Sequence, residues 1–463
     1  MTGSGVLARR DARLATVAAM AALVAGYVLV AASARLGGSH GPLVLLALVG
    51  VPLAALAVLN EPRLGPVLVV LAFPIGVMEL PGIQLQLVQL ATLAVATLVA
   101  LRRMASGLAP LAWVRGTAWG VGFVAWMLVG LPTALDHQRA LREIVLFAIG
   151  LVLAATVAAT ARSTRDVRAF LAVMVGVVAV VGLTTPIGAS PVRAAFEGAV
   201  VQGRATGIFS QPNQLGTFCA TGALIAAGLY FGARTRRGRL AAGAAVAGGV
   251  LGLVLSLSRG SWIGFVLGAV VLVAKLPDAR RALVVAVVPL VLLGAALSAF
   301  APTSPQVEVV GQRLRSIAGE RNPYDDRPAI WREAQREVVE EPLTGYGGGS
   351  FPQASTRATS KSRTVLAAHA HNLVLTWAAE LGLPAVALAV GLAVHLHVAM
   401  RRMARRVEAE DRAALAGLAA ALVGVLGQGV VDYTLTNAVL LTMLFAMVGA
   451  VLAYDRVSRQ VPE

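Results

Sequence analysis

Three short polar segments interrupt a sequence that is otherwise strongly apolar. The first, Gly203-Arg204-Ala205-Thr206-Gly207-Ile208-Phe209-Ser210-Gln211-Pro212-Asn213, leads into an apolar stretch. The second, Ser256-Leu257-Ser258-Arg259-Gly260-Ser261-Trp262, is a minimal turn between two such stretches, and the third, His369-Ala370-His371-Asn372, opens another. Ionisable residues at membrane depth or edge are costly and mark function by default. Arginine presents a planar fork of donors that suits bidentate phosphate contacts, and a neutral imidazole accepts a proton near neutral pH. Arg204 and Arg259 with a histidine would therefore make a phosphate or diphosphate site beside a general base. Each residue alone has a plainer use. A snorkelling arginine merely marks an interface, His371 can cap a helix or satisfy a loop carbonyl, Pro212-Asn213 can simply start a helix, and Asp432 and Glu380 can be structural polar groups within a bundle.

The elements that carry these segments read as membrane helices. Of 463 residues, 57% are hydrophobic and 13% charged, against roughly 25% charged in soluble proteins, which excludes a soluble globular enzyme. Gly (48) and Pro (21) are too few for a collagen-like chain, and the apolar content is too high for disorder. A hydrocarbon core needs roughly 20 apolar residues per helix. Candidate spans run approximately 14–34, 43–59, 64–78, 83–101, 117–134, 143–161, 169–187, 213–233, 240–257, 261–275, 282–300, 372–399, 413–431 and 435–454. The third and tenth are short, so the expectation is an all-α polytopic bundle of about 12–14 transmembrane helices. Arg9, Arg10 and Arg13 precede a first run of about 20 residues without a convincing Ala-x-Ala cleavage site, which reads as a membrane helix rather than a signal peptide. The single cysteine, Cys219, excludes an intramolecular disulfide.

Charge placement sets the orientation. The formal charge is +16, and only Lys275 and Lys361 are lysines. With the N-terminus inside and fourteen spans, 24 of the 39 basic residues fall inside; of the 15 opposite, nine lie in one long segment from about Ala301 to His371. Long-loop charges count little for topology, so the short loops follow the positive-inside rule. The excess charge is thus a topology signal and not a nucleic-acid footprint. Both termini are expected in the cytoplasm of a bacterial inner membrane. All three polar segments fall on the outer face, where the eighth, tenth and twelfth spans present helix N-termini that favour an anion.

The chain divides into N-terminal transmembrane helices (1–200), helices with the arginine motifs (201–300), an extracytoplasmic loop (301–371) and C-terminal helices (372–463). Within the loop, Asp325 and Asp326 offer N-cap oxygens, Pro328 suits a first turn, and Ile330, Trp331, Ala334 and Val338 recur at helical spacing. Arg332, Glu333, Arg336, Glu337 and Glu340 form the opposite, polar face. An amphipathic helix is expected from about Arg327 to Glu341, ended by Pro342, and it would either lie on the membrane interface or cover a site. Gly345-Tyr346-Gly347-Gly348-Gly349-Ser350 permits tight turns and close backbone approach.

In these stretches the sequence resembles the O-antigen ligase and O-antigen polymerase superfamily of bacterial membrane glycosyltransferases. The residues that carry the resemblance are Arg204 to Phe218, Ser256 to Gly264, Arg327 to Phe351 and His371 to Leu383. The resemblance implies a GT-C-like bundle that moves a glycan from an undecaprenyl-diphosphate carrier to an acceptor hydroxyl on a glycolipid or cell-wall glycan, without cofactor or metal. By motif, Arg204 and Arg259 would bind the donor diphosphate and His371 would act on the acceptor hydroxyl, with His369 as its competitor and Asn372 beside it. Arg327 and Tyr346 would close over substrate, and Asn213 would line the site. Ligase is preferred over polymerase. A lipid-linked glycan flippase, a different class, would place polar sites near the bilayer midplane on broken helices, and Gly382-Leu383-Pro384 could break the twelfth span. A structural scaffold would have no use for the arginine and histidine constellation.

Overall fold

A computed structural model describes residues 50–75, 85–110, 114–185, 200–201, 204–276, 326–355, 359–360, 363–364 and 367–459. The first expected span, residues 43–49 of the second, the eleventh, and Asp325 lie outside the described residues.

Apolar runs become helices wherever they are long enough, because a backbone in hydrocarbon must satisfy its own N–H and C=O groups. In chain order these are α1 (Val51–Asn60), α2 (Leu64–Leu71), α3 (Leu87–Ala105), α4 (Thr117–Gly130), α5 (His137–Thr160), α6 (Thr164–Thr184), α7 (Pro212–Gly232), α8 (Arg236–Ser256) and α9 (Arg259–Lys275), then α10 (Arg327–Glu340), α11 (Phe351–Ala354), α12 (Leu373–Met403), α13 (Ala409–Gly429) and α14 (Ala438–Ser458). Eight of them, α3, α5 to α8 and α12 to α14, are long and apolar enough to cross a membrane. The protein is an all-α polytopic membrane bundle. Its only strands among the described residues form two hairpins of two residues per strand, β1 (Val200–Val201) with β2 (Arg204–Ala205) and β3 (Thr359–Ser360) with β4 (Arg363–Thr364).

α7 lies at the centre of one half, packed by α6, α8, α9 and α13. α14 is the most enclosed helix, packed on α5, and α4 packs on α12. The crossings are close because small residues meet there, as membrane helix pairs require. A Cβ on Gly182 of α6 would overlap the Gly248 carbonyl of α8, and one on Gly228 of α7 would meet the backbone of Ala413 and Gly417 on α13. An aromatic cluster of Phe123, Phe147, Trp377 and Phe445 joins α4, α5, α12 and α14.

The two ends of the bundle differ in chemistry. At one end the basic loops are tied by ion pairs: Arg63 to Asp166 at 2.8 Å, Arg162 to Glu61 at 2.8 Å, Arg168 to Glu410 at 2.9 Å, with Arg168 also on Asp411 and Arg234 on Glu408 and Glu410. The loops following α1, α5, α7 and α12 therefore share one end, as the charge pattern predicts. At the other end, α7, α9, α12 and α14 all begin.

The external helix forms where expected, over Arg327–Glu340, and stops before Pro342. Two features differ. Asp326 makes no side-chain cap, its backbone being already helical (φ −78°, ψ −5°). The face read as polar is partly turned inward: Glu333 and Glu337 are buried with Ala329, Ile330 and Ala334. The reason is where the helix docks. α10 packs on α12, around a small core of Ile330, Ala334, Phe351, Ala367, Ala370 and Ala379, so positions 330, 333, 334 and 337 share the covered face. The glycine run behind it reaches a break in α12 at Gly382 (φ 79°, ψ 169°). There Tyr346 and Gly347 donate to the carbonyls of Ala379 and Glu380 (3.0 and 2.8 Å), and Leu383 donates to that of Pro342 (2.8 Å).

The α6–α8 crossing sets a stability expectation. Gly182→Val should lower the thermal midpoint of the detergent-purified protein, at a cost of about 1–3 kcal/mol from overpacking, whereas an unchanged midpoint would show that the two helices can part there without loss.

Candidate active site

Arg204 sits in the short β1–β2 hairpin that precedes α7, its backbone paired opposite Val201. Its Nε donates to the Ser256 carbonyl at 3.0 Å and its Nη2 to Asn213 Oδ1 at 2.7 Å. These contacts connect the first polar segment to the second. Ser256 ends α8, Leu257 turns the chain with φ 48°, and Ser258 caps α9 by accepting from the Ser261 N–H at 3.3 Å. Arg259, half-buried, is the first residue of α9, three positions after the carbonyl that holds Arg204. Ser261 Oγ donates to the Asn213 carbonyl at 3.3 Å, so the starts of α7 and α9 touch.

Asn213 continues the chain of contacts. Its Nδ2 donates to Asp432 Oδ2, and Asp432 Oδ1 faces His371 Nδ1 at 2.9 Å. The structure thus places Arg204, Asn213, Asp432 and His371 in one hydrogen-bonded line. Asn372 caps α12 by accepting from the Leu375 N–H at 3.0 Å, and its Nδ2 donates to the Val430 carbonyl at 2.8 Å. Asn437 caps α14 and donates to Gln214 on α7 at 3.4 Å. Four helix N-termini therefore converge, each contributing roughly half a positive charge.

Asp432 lies outside the helices, between α13 and α14, and is 5% exposed. Burial opposes its ionisation. The hydrogen bond from His371 and the positive charge of Arg327 outweigh that and hold its carboxyl below the usual carboxylate range. Its Oδ1 also accepts from the Tyr433 N–H at 3.0 Å. An ionised Asp432 makes His371 Nδ1 the donor, which leaves Nε2 as the proton acceptor. His369 packs edge-on against His371, with ring centroids 4.4 Å apart, and its Nδ1 accepts the His371 N–H at 3.2 Å. Burial and the neighbouring His371 push the His369 pKa down to about 4, against the pull of Asp432. His369 is therefore neutral at pH 7 and serves as an acceptor.

Leu257 and His371 are the only non-glycine residues with positive φ among the described residues. Both belong to this site. Such a conformation costs roughly 1–2 kcal/mol per residue and persists where surrounding structure imposes it.

Arg327 opens α10, and its charge acts on Asp432. Tyr346 is placed differently: its hydroxyl donates to Glu340 Oε2 at 2.9 Å and its N–H to Ala379, so it fastens the glycine loop to α10 and α12. Burial, then Glu340, push its pKa up to about 12. Glu380 lies elsewhere as well, its carboxylate accepting the Phe351 N–H at 3.2 Å. Sequence reading did not find Asp432 as the partner of His371. The available signal was topological, because the loop Val430–Asn437 joins the last two spans on the same face as the three polar segments. The expected spans of 413–431 and 435–454 already leave Asp432 in the connecting loop but name no partner for it; the helices end at Gly429 and begin at Ala438.

The atoms of His369, His371 and Asp432 lie within 4.8 Å of one another, a spacing that a divalent ion fits. The same Asp432 oxygens are those that hold His371, Asn213 and Tyr433.

Residues 243–390 match the family described as O-antigen ligase. The match covers less than half of the chain, and it makes this stretch similar to that family. The matched ligase region takes in Arg259, α10, the glycine loop and His369 to Asn372, while Arg204, Asn213 and Asp432 lie outside it and join it through the hydrogen bonds above. No curated protein matches the chain.

The covered face of α10 has a pH consequence. Glu337 is 1% exposed, neither carboxylate oxygen has a hydrogen-bond partner among the described residues, and burial followed by Glu333 raises its pKa from 4.5 to about 8. The folded state binds this proton more tightly than the unfolded chain, so the contribution to docking is full below pH 4.5 and is lost as pH rises through 8. Amide-exchange protection of residues 330–340 should fall as pH rises from 4.5 to about 8 and level off above it, and Glu337→Gln should flatten that dependence.

Proposed function

We propose that the protein transfers a glycan from an undecaprenyl-diphosphate carrier to an acceptor hydroxyl on a glycolipid or cell-wall glycan, as a ligase, on the extracytoplasmic face of the bacterial inner membrane. The observation that carries this reading is the line from Arg204 through Asn213 and Asp432 to His371, which sets a general base beside a positively charged helix end. His371 Nε2 takes the acceptor proton, the alkoxide oxygen bonds to the anomeric carbon, and the bond from that carbon to the diphosphate oxygen breaks. Charge then grows on the diphosphate. Arg204, Arg259 and the N-termini of α7 and α9 are positioned to stabilise it, and preorganised donors are worth most where charge develops. Asp432 keeps the ring in its tautomer and favours the imidazolium that forms. Arg327 and α10 cover the same end as a lid. With positive charge supplied by the protein, we read the reaction as metal-independent. The gathering of the basic loops at one end supports a topology with both termini inside.

A flippase would need an open break near the bilayer midplane. The break at Gly382 is instead filled by the protein's own glycine loop.

The test is reconstitution with an undecaprenyl-diphosphate glycan and candidate acceptors. Arg204→Ala and Arg259→Ala should each lose about 10²–10³-fold in rate, and His371→Ala about 10²–10⁴-fold. Asp432→Asn should lose a comparable factor, and the double variant with His371→Ala should lose no more than His371→Ala alone, because the pair acts as a unit. Chelator should leave the rate unchanged. Full activity in these variants would remove the site; lengthened carrier-linked chains would select polymerase, and translocation without a new glycosidic bond would select flippase.

A further inference from the structure

At the ion-paired end, opposite the proposed catalytic site, a cavity of about 410 Å³ opens between α6, α7, α8 and α13. It is lined by Arg168, Arg234 and Glu410 at its mouth and by Ala172, Gly176, Ala242 and Ala245, among others, along its walls. The cause of the cavity lies in the helix crossing. α6 and α8 touch at Gly182 and Gly248, where no Cβ fits, and diverge toward the charged end. A Cβ on Gly176 would meet nothing within 4 Å. From Thr235 to Ala245 the wall of α8 is about 15 Å deep, at 1.5 Å per residue. Ala172 and Ala241 are exposed, so the cavity opens sideways toward the surrounding bilayer.

This shape combines a charged mouth at the membrane edge with an apolar interior of acyl-chain depth. The mouth carries both signs. Arg168 and Arg234 each contact Glu410, and Asp411 and Glu408 also lie on them. A guanidinium has five N–H donors, so the ion pairs described on each arginine leave donors for a phosphate. A headgroup bearing only negative charge would meet Glu410 and its carboxylate neighbours. One bearing a phosphate and an ammonium matches both.

We propose that this cavity holds one membrane phospholipid with a zwitterionic, amine-bearing headgroup. Its phosphate lies on Arg168 and Arg234, its ammonium on Glu410, and part of one acyl chain enters between α6 and α8. The proposal is independent of the glycosyl-transfer reading, and its test needs no activity.

The full chain, purified in detergent and stripped of lipid, would be titrated with phosphatidylethanolamine and separately with phosphatidylglycerol, and binding read by native mass spectrometry. One phosphatidylethanolamine should be retained per chain, at least about tenfold more tightly than phosphatidylglycerol. Gly176→Leu fills the cavity from a position with room for the side chain and should abolish retention without lowering the thermal midpoint. Arg234→Gln, at an exposed position, should weaken it about tenfold, the loss of a charge-assisted contact. Equal retention by wild type and Gly176→Leu, equal affinity for the two lipids, or no retained lipid would each overturn the proposal.

Discussion

The structure depends most on one buried carboxylate. Asp432 is removed from water at the end of the bundle, and an ion in that position is tolerated only with partners on every side. Those partners come from distant parts of the chain: Asn213 from the start of α7, His371 from the approach to α12, and the Tyr433 backbone from its own loop. Satisfying Asp432 therefore fixes the height at which α7, α12 and α14 begin. Arg204 is fixed in the same way, because Asn213 receives it on one side and gives to Asp432 on the other. The positioning of His371 and of Arg204 is one problem with one solution.

That solution is asymmetric across the membrane. At the far end, basic side chains are neutralised by Glu61, Asp166, Glu408, Glu410 and Asp411, and the loops are bound to one another. At the near end, Asp432 is the acid to which the motif residues connect, while four helix N-termini and Arg204, Arg259 and Arg327 add positive charge. An anion gains at this end and loses little water-borne screening there, since the site is half-buried. The difference between the ends is thus one of charge: ion-paired loops at one, and helix N-termini and arginines gathered around a buried carboxylate at the other.

Much of this is legible in the sequence because the bilayer leaves few options. A run of about 20 apolar residues must be a helix, and the alternation of arginine-rich loops assigns each loop to an end. That is why Arg204, Arg259 and His371 could be placed on one face before any coordinates. What could not be read was pairing. Asp432 lies in an eight-residue gap between two apolar runs whose limits are uncertain by several residues, and periodicity carries no information about which loop residue meets which. Glu337 was unreadable for another reason. Helical spacing separates an apolar from a polar face, but the face of α10 that is covered is chosen by its contact with α12, and that contact takes in carboxylates as well as Ile330 and Ala334.

The break in α12 carries the last step. A helix interrupted at membrane depth exposes unpaired backbone groups, and these must be met by water, by a ligand or by protein. Here the protein meets them: Tyr346, Gly347 and Leu383 close the gap with hydrogen bonds between the glycine loop and the two halves of α12, and Trp126 Nε1 adds another to the Leu381 carbonyl at 3.0 Å. Gly345 and Gly347 both hold positive φ, and a Cβ on either would collide with Glu380 backbone or Ala134. The external loop is therefore anchored inside the bundle, a few turns below the His371 network, and is not merely laid over it. An element anchored at its glycine end and resting on α12 through α10 can move over the site only as far as that anchor permits. The strained backbone at Leu257 and His371 fits the same picture, since a conformation held against its own preference needs a frame that does not yield. The chain thus combines a rigid floor, built by crossing helices, with a loop fastened both to the broken helix and to the turn before α5, where the Leu135 N–H donates to the Tyr346 carbonyl at 2.9 Å and the Asp136 N–H to Ser350 Oγ at 3.2 Å.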